Sequence, residues 1–127
     1  MEEKLNVRDM KKILIAEDND SNFVLMSYIL KKYYQFERAR NGQEAVELTD
    51  KNAYDLVLMD IKMPVMDGLE AAKAIREKHP DLPIIALTAN AFDSDRQLAD
   101  EAGCNDFLAK PVSSEACIET IKKLIGE

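Results

Sequence analysis

LVLMDIKMPVMDG, residues 56–68, decides the fold. Leu56–Met59 is a continuous apolar run of strand length that ends in a carboxylate, Asp60. Strands apolar on both faces belong at the centre of parallel sheets, where helices cover both sides. Pro64, Asp67 and Gly68 follow within eight positions, so the strand breaks deliberately and a helix opens at Gly68. ILIA at 13–16 and IIAL at 84–87 are runs of the same kind.

Working outward, strand and helix alternate along the chain. Strands are expected at Lys11–Glu17, Phe36–Arg40, Asp55–Met59, Pro83–Leu87 and Asn105–Ala109. Helices are expected at Asp20–Tyr34, Gly42–Lys51, Gly68–His79, about Ala91–Ala102 with Gly103 as its stop, and Ser113–Ile125 behind a Ser-Ser-Glu capping signal. This pattern predicts a flavodoxin-like (βα)5 α/β fold, a five-stranded parallel sheet with helices on both faces. FERAR alternates with charges and NDFLA is more polar, which puts these two strands toward the edges. The order 2-1-3-4-5 meets these constraints with right-handed crossovers. Strands 1 and 3 are then neighbours at the point where the chain reverses, and ligands of open α/β sheets bind beyond the strand ends there.

The 127 residues make one domain, with 11–127 as the folded unit and the polar residues 1–10 as an extension or linker stub. A chain this long buries roughly two thirds of its unfolded surface and needs no disulfide or metal to hold a core. The two cysteines, Cys104 and Cys117, sit in no metal-binding or CxxC pattern and read as reduced thiols, which suggests a cytoplasmic protein. A net charge of −7 argues against direct nucleic-acid binding, and the apolar runs are too short to contact a membrane as spans.

Chemistry gathers at the strand ends. Glu17 and Asp18 close the first strand, Asp60 the third, Thr88 the fourth and Lys110 the fifth. An acidic pair before a helix is most often a solvated cap, but five such groups at four strand ends converge on one crevice. Three adjacent carboxylates repel, so without a cation at least one pKa must rise. A hard, oxygen-preferring ion, Mg2+ or Mn2+, removes the conflict and welcomes a phosphate oxygen. An aspartate beside such an ion can attack a phosphoryl group, with Lys110 pairing a second oxygen and Thr88 bonding a third.

Together EDN at 17–19, MDIKMPVMDG at 59–68, LTAN at 87–90 and FLAKPV at 107–112 resemble the response-regulator receiver domain of two-component signalling. The resemblance implies that Asp60 is the phosphoacceptor, fed by the phosphohistidine of a histidine kinase or phosphotransfer-domain protein. It implies Mg2+ held by Asp18, by Asp60, by Glu17 through water and by the backbone carbonyl of Lys62. Thr88 and Lys110 become the phosphoryl-sensing pair and Phe107 the aromatic switch, with a cis Lys110–Pro111 bond aiming the lysine inward. Phosphorylation would switch a surface formed by the fourth helix, fifth strand and last helix, where a downstream protein binds. Lys62 and Asn90 would tune the lifetime of the aspartyl-phosphate. The donor is expected beside the first helix, around Phe23, whose alternative is burial under the last helix.

Such a domain supports its own phosphorylation and dephosphorylation without being a multi-turnover enzyme. Asn22 and LTANAF resemble receivers of hybrid sensor histidine kinases, although a free-standing receiver is equally compatible. A receiver-like interaction module that is never phosphorylated is disfavoured by the intact set of site residues. A phosphatase of the haloacid-dehalogenase type wants an acid two residues past its nucleophile, and position 62 is lysine.

Overall fold

A computed structural model describes residues 10–63, 66–89 and 93–126. The expected N-terminal extension (except Met10), Pro64, Asn90 and Phe92 therefore lie outside the described residues. The elements run β1 (Lys12–Ala16), α1 (Asp20–Leu30), β2 (Gln35–Ala39), α2 (Gly42–Lys51), β3 (Leu56–Asp60), α3 (Gly68–Lys78), β4 (Ile84–Thr88), α4 (Asp93–Glu101), β5 (Asp106–Ala109) and α5 (Ser114–Ile125). The five strands are parallel in the order β2-β1-β3-β4-β5.

Alternation along the central strands feeds two separate cores. Ile13, Ile15, Leu56, Leu58, Ile85 and Leu87 pack against Met26 and Leu30 of α1 and Cys117 and Ile121 of α5. Leu14, Ala16, Val57, Met59, Ile84 and Ala86 point the other way, toward Ala45 of α2, Ala71, Ala72 and Ile75 of α3, and Ala99 of α4. β3 and β4 are buried at every position, whereas β2 and β5 are only partly buried, as edge strands should be.

Side-chain caps fix where helices begin. Asn19, Asn41, Asp67 and Ser113 each accept a hydrogen bond from the backbone N–H three residues on, opening α1, α2, α3 and α5. α1 ends earlier than its sequence suggests, at Leu30 rather than Tyr34. No Gly or Pro stops it there. The amides of Tyr33 and Tyr34 both donate to the Leu30 carbonyl at 2.9 Å, and the turn drops Tyr34 into the core. Gly103, at φ 96°, ends the α4 turn as expected.

His79 caps α3, with its Nε2 turned inward, 3.5 Å from Asp50 Oδ1. Phe23 is half-buried against β2, edge-on to Phe36 at 6.0 Å and under the Arg38 guanidinium at 4.6 Å, instead of under α5. The apolar side chains that α1 exposes are its neighbours Val24 (57%), Leu25 (43%) and Tyr28 (67%). Among the described residues no helix is long and apolar enough to cross a membrane.

Candidate functional site

β1 and β3 run side by side, with Ala16 opposite Met59, so the residues that follow them emerge together. Glu17, Asp18 and Asp60 each bring a carboxylate oxygen to within 4.8 Å of the others. Glu17 and Asp60 are buried, while Asp18 faces solvent. Lys110 reaches in from the end of β5, its Nζ 2.9 Å from Asp60 Oδ2 and 3.1 Å from Glu17 Oε1. The Lys110–Pro111 bond is cis. The Lys62 amide donates to Asp60 Oδ1 at 3.2 Å, fixing the carboxylate from the loop side.

The break after Asp60 has a steric basis. The Gly68 amide donates to the Ile61 carbonyl at 2.7 Å, folding the loop back on the strand end. A Cβ on Gly68 would lie 2.0 Å from the Asp60 carbonyl oxygen, so only glycine allows α3 to start this close to the acceptor.

Charge in the site is under tension. Burial pushes the Glu17 carboxyl up to about 7, the adjacent Asp60 adds to the rise, and Lys110 offsets part of it. Burial works against the Lys110 charge, but hydrogen bonds and attraction from Asp60 and then Glu17 hold its pKa above the ordinary lysine value. One ammonium is thus shared by carboxylates that would otherwise expel each other's charge. An oxygen-only donor set with one solvent-facing carboxylate suits a hard divalent cation, and no His or Cys belongs to it.

Thr88 is buried at the end of β4, and its hydroxyl donates to Asp95 Oδ2 at 2.9 Å. Phe107 lies half-buried on β5 opposite Ala86, with the Arg96 guanidinium 4.6 Å from its ring centroid. Asn90 falls outside the described residues.

Three side chains near the site were missed in the sequence. Arg38, near the end of β2, donates its Nε–H to the Glu17 carbonyl at 3.0 Å and pairs with Asp20 at 2.9 Å. A charged residue near the end of the strand flanking β1 was the available signal. Asp95 and Arg96 left no signal, because an acid and a base in a helical first turn are ordinary.

The family model for the response regulator receiver domain matches residues 13–122. Hybrid signal transduction histidine kinase B of Dictyostelium discoideum is 46% identical over 129 residues, covering 90% of this chain but only 7% of that protein. The polar-differentiation response regulator DivK of Brucella anthropi is 37% identical over 120 residues, 92% of this chain and 98% of that one. Among solved structures, the receiver domain of sensor histidine kinase PA1611 from Pseudomonas aeruginosa holds a magnesium ion in its active-site cleft. It superposes with a TM-score of 0.87 at 36% identity over 93% of this chain and 99% of that chain. A Saccharomyces cerevisiae complex joins the histidine phosphotransfer protein Ypd1 to the receiver domain of the response regulator Ssk1. It matches with a TM-score of 0.85 at 34% identity, over 91% and 88% of the two chains.

Proposed function

From the premise that this chain belongs to the response regulator receiver domain family, we propose that Asp60 accepts a phosphoryl group from the phosphohistidine of a kinase or phosphotransfer protein. The observation that carries this reading is the convergence of Lys110 on Asp60 and Glu17, at 2.9 and 3.1 Å, where three strands end.

In the transfer, an Asp60 carboxylate oxygen bonds to phosphorus as the P–N bond of phosphohistidine breaks. The bonding pair leaves with the imidazole nitrogen, which takes up a proton. Lys110 exchanges its pairing with the free Asp60 oxygen for one with a phosphoryl oxygen. Asp18, Asp60, Glu17 and the Lys62 carbonyl would hold Mg2+, which when bound neutralises charge on the transferring oxygens. The buried strand ends keep these groups in fixed positions, which is what an in-line displacement requires. The magnesium site of the PA1611 receiver domain supports this assignment of the acidic cluster.

The donor approaches beside α1, where Val24, Leu25 and Tyr28 leave an apolar surface and Leu25 lines a recess with Glu17 and Lys110. The receiver in the Ypd1 complex supports a phosphotransfer protein as the donor class. Phosphorylation is read on the face formed by α4, β5 and α5, with Thr88 and Phe107 as its internal switch. Lys62 and Asn90 set how long the aspartyl-phosphate survives.

Incubation with phosphoramidate or acetyl phosphate tests the reading. One phosphoryl mass is expected per chain with Mg2+, none with EDTA, and none in Asp60→Ala. Continuous release of phosphate without a covalent intermediate would point to a hydrolase instead.

A further inference from the structure

The first turn of α4 grips two side chains at once. Asp95 accepts the Thr88 hydroxyl at 2.9 Å, and its neighbour Arg96 stacks its guanidinium on the Phe107 ring, 4.6 Å from the centroid. The helix that bears them is shallowly anchored. Among the described residues, Ala99 is its one buried side chain, and Leu98 is 46% exposed. Asp95 also lines one recess with Asp18, Lys62 and Asp67, so its carboxylate stands at the edge of the acidic site.

A threonine hydroxyl has a single hydrogen to donate. If Thr88 bonds an oxygen of phosphorylated Asp60, it cannot also donate to Asp95. The two acceptors compete for one proton, and Asp95 holds it in this structure. A phosphoryl group adds negative charge close to the Asp95 carboxylate, which further favours separation. Once the Thr88–Asp95 bond breaks, no buried side chain among the described residues of the first turn of α4 keeps it in position, and Arg96 moves with it.

We propose that Asp95 is a positioning residue that holds Thr88 away from the acceptor until Asp60 is phosphorylated, and that Arg96 on the same turn passes the release to Phe107. This role rests on the reading of Asp60 as phosphoacceptor. It assigns the resting state of the switch to two residues, neither of which is part of the acceptor site.

Beryllofluoride with Mg2+, a stable mimic of the phosphoryl group, provides the test. Asp95→Ala is expected to bind it about five- to tenfold more tightly than the parent, the worth of one net hydrogen bond. Asp95→Asn keeps an uncharged acceptor and should show a smaller gain in the same direction, which also covers a failure of the alanine variant to fold. In a Thr88→Ala background the gain from Asp95→Ala should shrink to the part that comes from removing a negative charge beside the mimic, because the rest passes through the hydroxyl. The Phe107 ring resonances of Asp95→Ala, without the mimic, should move toward their positions in the mimic-bound parent.

A parent that binds beryllofluoride while both Asp95 variants bind it no more tightly overturns the proposal. So does a gain that persists undiminished without Thr88. A Phe107 ring unmoved by Asp95→Ala removes Arg96 from the chain of events. A parent that does not bind the mimic at all removes the Asp60 reading, and the role of Asp95 with it.

Discussion

Arg38 donates its Nε–H to the Glu17 carbonyl at 3.0 Å, so a β2 side chain holds the backbone that aims the acidic pair. Its side chain is only 13% exposed, and Nη1 also pairs with Asp20, which is 80% exposed. Screening leaves little value in that exposed pair, whereas the bond to the buried carbonyl is protected from solvent. Arg38→Ala is expected to weaken Mg2+ binding about tenfold, as loss of an outer-shell partner does, and to cost about 1–3 kcal/mol of stability. Asp20→Ala should change both far less. Isothermal titration with Mg2+ and urea unfolding measure the two effects. Equal losses in the two variants would move the anchoring role from the carbonyl to the ion pair.

The raised Glu17 carboxyl makes metal binding depend on pH. Its folded value of about 7 lies above the ordinary 4.5, so between these values the folded state keeps a proton that the unfolded chain has lost. The stabilisation this gives the metal-free protein is complete below the unfolded value and is lost as pH rises through about 7. Mg2+ needs the ionised form, so its affinity should climb over the same window and level off above it. Titrations across that range in the parent should show the climb, and Glu17→Gln should flatten it. A flat profile in the parent would rule out Glu17 as the titrating group.

Gly68 sets how closely α3 approaches the acceptor. A Cβ there would meet the Asp60 carbonyl oxygen at 2.0 Å and the Ile61 Cα at 2.8 Å, both backbone atoms with no rotamer to yield. Gly68→Ala is therefore expected to destabilise by about 1–3 kcal/mol, the usual cost of overpacking. Phosphorylation should slow as well, because the strand end that carries Asp60 must shift. Urea unfolding together with phosphoramidate kinetics checks this, and a variant with parental stability would show that the loop relaxes freely.

Much of the fold was legible because its signals are local. Three apolar runs marked the central strands, and the Ser-Ser-Glu signal marked the start of α5, which Ser113 caps. The end of α1 was not legible, since Tyr34 leaves the helix to fill a core that forms only in three dimensions. The gathering of Glu17, Asp18, Asp60 and Lys110 followed from strand ends alone. The contacts of Arg38, Asp95 and Arg96 did not, because each reaches sideways between elements that the sequence does not pair. Nor was the packing of the Phe23 ring against Phe36 and Arg38 of β2 legible, for the same reason.

The central claim is that Asp60 itself becomes phosphorylated, and chemical trapping tests it most directly. Borohydride reduces an aspartyl-phosphate to homoserine, which peptide mass mapping locates. After transfer from a phosphorylated phosphotransfer protein in Mg2+, homoserine is expected at position 60 and nowhere else, and it should be absent when EDTA is present. Homoserine at position 18, or covalent label that survives in Asp60→Ala, would contradict the account.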